Sequence, residues 1–137
     1  MKYVLDTNVV SALMTGDPRV VKRLAQLPRG DVEISQPVLA EISYGIERLP
    51  RSKRRDALRA QLELIRSELG RANWSDEVSE AFGTVKASLE RSGRRIEDFD
   101  AAVAAHALAV GGVLVTRNTK HMARIQDLQI EDWCASS

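Results

Sequence analysis

At 137 residues the chain is the size of one domain, and a formal charge of +1 is too small for a protein that coats duplex nucleic acid, because affinity grows with each phosphate neutralised. Hydrophobic residues make up 44% and charged residues 28%, ordinary globular values, while 4% aromatic content leaves Val, Leu, Ile and Ala to build the core. Cys134 is the only cysteine, which excludes an internal disulfide framework and a thiolate zinc site and points to a reducing, cytoplasmic setting.

The chain opens on Tyr3, Val4 and Leu5, a short β-favouring run that suits a buried central strand and stops on Asp6. Thr7 and Asn8 tolerate a turn or a cap, and Val9 to Met14 read as a first helix, so Asp6 sits where a strand hands over to a helix. Asp17-Pro18 then starts a helix in which Val20, Val21, Leu24 and Leu27 follow at helical spacing. Val32 to Ser35 alternate as a second strand, and Pro37 opens a helix with Val38, Leu39, Ile42, Ile46 and Leu49 on its apolar stripe and Glu41 at the margin.

From Arg54 a packing helix carries Leu58, Leu62, Ile65 and Leu69 to a stop at Gly70, and Trp74-Ser75 introduces another with Val78, Ala81, Phe82, Val85 and Leu89 inward. Ala101 to Val110 are small and apolar almost all round, as in a helix buried against a sheet; with His106 and Gly111-Gly112 interrupting, the stretch up to Val115 is too short to span a bilayer. The N-terminus does not read as a secretory signal, and no membrane role is expected. Val113 to Val115 form a strand with Thr116, Arg117 and Asn118 at its carboxyl end, and a last strand is expected around Leu128 to Ile130.

Helices alternating with short apolar strands predict an α/β domain over 1–137, with a parallel sheet covered on both faces by right-handed crossovers. Ligands bind such sheets at the carboxyl edge, which here should collect Asp6, Glu41, Thr116 and Asn118. A further acid comes from the buried helix. On a helical wheel Asp100 shares a stripe with Phe99, Val103, Ala107 and Val110, whereas Asp98 points away and reads as a cap. A buried acid with no Lys or Arg at a matching offset needs another positive partner, and three carboxylates drawn together raise one another's pKa unless a divalent cation joins them. Oxygen-only ligands suit hard ions such as Mg²⁺ or Mn²⁺, which activate water and steady a departing oxygen in phosphodiester hydrolysis.

The segments L-D-T-N at residues 5 to 8, L-A-E-I-S-Y-G-I at 39 to 46, D-A-A-V-A-A-H-A-L at 100 to 108 and L-V-T-R-N at 114 to 118 resemble, in order and spacing, the motifs of PIN-domain nucleases. More narrowly they are similar to the VapC ribonuclease toxins of toxin-antitoxin modules. The resemblance implies a PIN-like three-layer α/β fold, with a central parallel sheet of four to five short strands flanked by helices. It implies a Mg²⁺-dependent endoribonuclease, Mn²⁺ being the other candidate, in which Asp6, Glu41 and Asp100 are the metal-site acids and Asn118 joins them in the catalytic site. Thr7, Thr116 and Arg117 are the expected substrate contacts. A cognate VapB-type antitoxin that occupies the acidic site, docking partly as an amphipathic segment in a groove between helices, and a homodimer are implied as well. Where many relatives have a fourth acid this chain has Asn118, and another acid common three residues later is His121, so the resemblance implies one bound ion in the free protein rather than two.

The densest basic run spans Arg48 to Arg59; it would contact phosphates without reading sequence, unless it is simply a solvated helix start. Tyr44 is a candidate base stacker, His106 reads as a satisfied structural histidine and His121 as an exposed one. Two other function classes compete. A catalytically silent module could act with an antitoxin on an operator, and an aspartyl-type phosphatase could use Asp6, although Asn8 stands where its second acid belongs.

Overall fold

The computed structural model describes residues 1–135. Five strands form one sheet: β1 (Tyr3–Leu5), β2 (Val32–Ser35), β3 (Gly70–Ala72), β4 (Val113–Val115) and β5 (Gln129–Glu131). They lie in the order β3-β2-β1-β4-β5 with every neighbouring pair parallel. β1 is central, as its unbroken apolar run requires, with Val4 and Leu5 fully buried. The helices are α1 (Thr7–Met14), α2 (Pro18–Ala25), α3 (Gln36–Glu47), α4 (Lys53–Glu68), α5 (Asp76–Arg91), α6 (Asp98–Ala109) and the short α7 (Thr119–Met122). None of them is long and apolar enough to cross a membrane.

Local chemistry sets most of the boundaries. Asp17 caps α2 by accepting the Arg19 N–H, with Pro18 in the first turn, and Ser52 and Ser75 cap α4 and α5 in the same way. Gly111 leaves α6 at φ +64°, and Gly112 then passes so close to β1 that a Cβ would lie 2.5 Å from the Lys2 carbonyl oxygen. That carbonyl accepts the Val113 N–H at 2.8 Å, so the contact that forbids a side chain also starts the β1–β4 ladder.

Several expectations need correction. β3 replaces the expected helix stop at Gly70: Gly-Arg-Ala has no strand signal of its own, and pairing with β2 makes it an edge strand in which only Ala72 is buried. The helix started by Asp17-Pro18 does form, with Val21 44% exposed because eight residues of α2 offer the core only the Val20 and Leu24 side. On α6 the expected stripe fails. Residues 101–107 are buried on every side while Phe99 is 47% and Val110 39% exposed, since a helix of small residues carries almost no periodic signal. Asp98 is the first helical residue rather than the cap, which is Glu97, and its carboxylate pairs with Lys86 at 3.1 Å. Among the described residues His106 Nδ1 has no hydrogen-bond partner, so this histidine is buried but not satisfied; burial pushes its pKa down, opposed by Glu33.

Candidate active site

Connections leaving β1 and β4 run to opposite sides of the sheet, so the gap between their carboxyl ends is the topological switch point. Asp6 ends β1 there. It caps α1, its Oδ1 accepting the Thr7 N–H at 2.8 Å, and its Oδ2 accepts the Thr116 hydroxyl at 2.8 Å across the gap. The cap is Asp6 itself, not Thr7 or Asn8. Asp6 is 3% exposed, and burial holds its pKa above the ordinary value despite the lowering from Thr116 and Thr7.

Thr7 also ties in the second acid. Its hydroxyl donates to Glu41 Oε1 at 2.8 Å, linking the start of α1 to the second turn of α3. The third acid, Asp100, lies in the first turn of α6 and is half-buried. Its carboxyl is pushed up to about 6 by burial first, then by the charges of Asp6, Glu41 and Glu97. The three acids therefore share one electrostatic neighbourhood, although among the described residues no three acidic, histidine or cysteine side chains are closed into a coordination shell.

After β4, the Thr116 hydroxyl receives the Asn118 N–H at 2.9 Å while donating to Asp6. Asn118 sits at the N-cap of α7 without capping it through its side chain; its Oδ1 meets His121 Nδ1 instead. Arg117 is exposed, and its backbone N–H bonds Asn8 Oδ1 at 3.1 Å. Asp100, Asn118 and His121 line one cleft with Arg95 and Asp98. Thr7 and Glu41 line a neighbouring groove with Arg48, Arg54 and the apolar Met14 and Leu58.

The expected site residues thus gather at one edge, and the basic run divides. Arg48 and Arg54 face the groove beside Glu41, whereas Arg55 and Arg59 are both paired with Glu47. Tyr44 is 69% exposed with Arg48 over its ring, and His121 is exposed but engaged by Asn118. Two contributors went unread in the sequence. Asn8 brackets the β4 loop through Arg117 and Thr116, a role without a motif, and Glu97 adds charge against Asp100 from an exposed cap. Asn8 also offers no second carboxylate for an aspartyl phosphatase.

The donors fit a hard divalent cation. Each candidate ligand is an oxygen, the sole thiol, Cys134, is buried near Asp17 and Asp132 rather than in this cluster, and the mutual repulsion that lifts Asp100 is what a bound cation would relieve.

Known proteins resemble this chain along nearly its whole length. A family model described as PIN domain matches residues 3–128. Ribonuclease VapC2 of Rickettsia felis is 33% identical over 135 residues, covering 97% of this chain and 98% of that one. The tRNA(fMet)-specific endonuclease VapC of Shigella flexneri is 31% identical over 133 residues with the same coverage, 97% and 98%. Among solved structures, DNA-bound VapBC of Salmonella typhimurium contains a chain that superposes with a TM-score of 0.88 at 30% identity, over 98% of this chain and 99% of that chain. PIN-domain ribonucleases depend on metal in general. The chain belongs to the PIN-domain family and, within it, to the VapC ribonucleases.

Proposed function

We propose that this protein is the toxin of a toxin-antitoxin pair and cleaves RNA with Mg²⁺ held by Asp6, Glu41 and Asp100, with Asn118 completing the catalytic site. The observation that carries this reading is the placement of three acids around the β1–β4 switch point, close enough that Asp6 and Glu41 both raise the Asp100 carboxyl. A divalent cation supplies Lewis acidity toward water and neutralises charge that builds on the phosphate. The chain's own residues do the positioning. Thr116 and the Thr7 N–H hold the Asp6 carboxylate, the Thr7 hydroxyl holds Glu41, and the half-buried Glu41 and Asp100 would supply the remaining carboxylates to the ion. Arg48, Arg54 and Arg117 offer charge to RNA phosphates beside the acids.

The relatives extend the reading to partners. The Salmonella structure is of a VapBC complex, and a cognate VapB-type antitoxin is the proposed inhibitor here. The groove between α1, α3 and α4 fits that role: Met14, Ile46, Leu49 and Leu58 give it an apolar floor, and it runs up to Glu41, so an amphipathic segment lying in it reaches the acids. A homodimer in the cytoplasm, one domain per chain, completes the proposal.

The test is cleavage by the purified chain of structured RNAs, with tRNA(fMet) first because the Shigella flexneri relative is named as specific for it. EDTA-sensitive cuts that Asp6→Ala and Asp100→Asn lose support the reading. Cleavage unchanged in Asp100→Asn overturns the site assignment.

A further inference from the structure

The carboxyl edge holds a further polar side chain at the end of β2. Ser35 ends β2 at 0% exposure, and among the described residues its Oγ makes no hydrogen bond. It occupies the N-cap position of α3, where a serine hydroxyl ordinarily accepts an N–H from the second or third helical residue. Pro37, the second helical residue, has no N–H to give, and the hydroxyl makes no capping bond at all.

The sheet register says where that hydroxyl faces. Leu5 is paired with Ile34 and with Val115, so the next residues, Ser35, Asp6 and Thr116, form one row across β2, β1 and β4. Strand side chains alternate, which puts this row on the face shared by Glu33, Val4 and Leu114. α6 covers that face: it packs on β1 and β4, and its His106 feels the charge of Glu33. Asp100 is on the same helix, one to two turns nearer the carboxyl edge than His106. Thr116 therefore flanks Asp6 on one side of the row and Ser35 on the other.

Each of the other two acids already has a hydroxyl. Thr116 donates to Asp6 and Thr7 to Glu41, both at 2.8 Å, whereas among the described residues no hydrogen bond offsets the burial of Asp100. We infer that Ser35 is the positioning residue for Asp100, the third hydroxyl of the site, donating to that carboxylate when the acids close on a cation. This inference rests on the metal-site reading above and deepens it.

The experiment compares the full chain with Ser35→Ala and Asp100→Asn by Mn²⁺ titration followed by electron paramagnetic resonance, with thermal melts in the absence of metal. Ser35→Ala is expected to weaken Mn²⁺ binding by about 10-fold or more, the usual effect of losing a group that orients a ligand. Its metal-free melting temperature should stay level or rise, because the hydroxyl removed was buried without a partner. On RNA the same variant should lower kcat with KM little changed. Wild-type Mn²⁺ affinity in Ser35→Ala overturns the inference, and so does a fall in affinity matched by a lower melting temperature, which marks a purely structural cap. Asp100→Asn separates the two levels. Undiminished Mn²⁺ binding there overturns the site reading itself, while lost binding there beside a wild-type Ser35→Ala overturns only the role of Ser35.

Discussion

Thr116 donates its hydroxyl to Asp6 at 2.8 Å, joining residues 110 positions apart across the point where the sheet reverses its direction of winding. The same hydroxyl takes the Asn118 N–H, so its proton is committed to the carboxylate. Thr116→Val keeps the shape and removes the donor. The buried Asp6 carboxylate then loses one of its two compensating bonds, which should cost about 1–3 kcal/mol of stability at neutral pH and roughly 10–100-fold in RNA cleavage. Urea unfolding alongside single-turnover cleavage checks both values, and a Val variant with full activity would show that Asp6 needs no such support.

Asp100 gives a pH dependence with a defined sign. Its folded pKa, about 6, lies above the ordinary 3.8, so the folded state holds this proton more tightly than the unfolded state does. The neutral carboxyl's contribution is fully present below the lower value and is lost as pH rises through the upper one. Asp100→Asn should therefore be more stable than the parent at pH 7, by about 1 kcal/mol after solvent screening, and should converge with it near pH 4. Urea midpoints of both proteins across that range test this. A variant less stable than the parent at pH 7 would mean that the charged form is favoured by a partner not accounted for here.

The groove arginines offer an electrostatic test. Arg48 and Arg54 face the groove beside Glu41, whereas Arg55 and Arg59 are tied to Glu47. Replacing Arg48 and Arg54 together by Ala should weaken RNA binding and flatten its salt dependence by about 1–2 in log–log slope, close to the value for two phosphate contacts on single-stranded RNA. Replacing Arg55 and Arg59 should change that slope little. Equal effects from the two pairs would show that the whole run acts as a diffuse charged face.

Gly112 tests the framework. A Cβ there would meet the Lys2 carbonyl oxygen at 2.5 Å, and that oxygen cannot move away without losing the Val113 N–H. Gly112→Ala should destabilise the fold by roughly 2–4 kcal/mol, at the severe end for one methyl group, whereas Gly83→Ala, in open space on α5, should be neutral or stabilising. Denaturant unfolding of the two variants is sufficient.

How much of this could be read in the residues follows from where the signal resides. β1 and β4 are apolar runs and β2 an alternating one, each giving way to a polar residue, and Pro18 and Pro37 mark helix starts directly, so the carboxyl edge with Asp6 and Glu41 was legible. β3 was not, because Gly70, Arg71 and Ala72 become a strand only through pairing with β2. The face of α6 was read wrongly at Phe99 and Val110, since a helix of alanines buried all round has no preferred side. The contacts of Asn8 and Ser35 were not legible for a different reason. Their roles depend on neighbours brought in by sheet register, and no local spacing encodes those neighbours.

The central claim is that Asp6, Glu41 and Asp100 hold one divalent ion. A crystal soaked in Mn²⁺, with data collected at the manganese absorption edge, tests it most directly. The account predicts one anomalous peak about 2.0–2.2 Å from an oxygen of each of the three carboxylates, near the separation hard divalent ions of this size require. A peak bound elsewhere, or none at this edge with Mn²⁺ in excess, would contradict it.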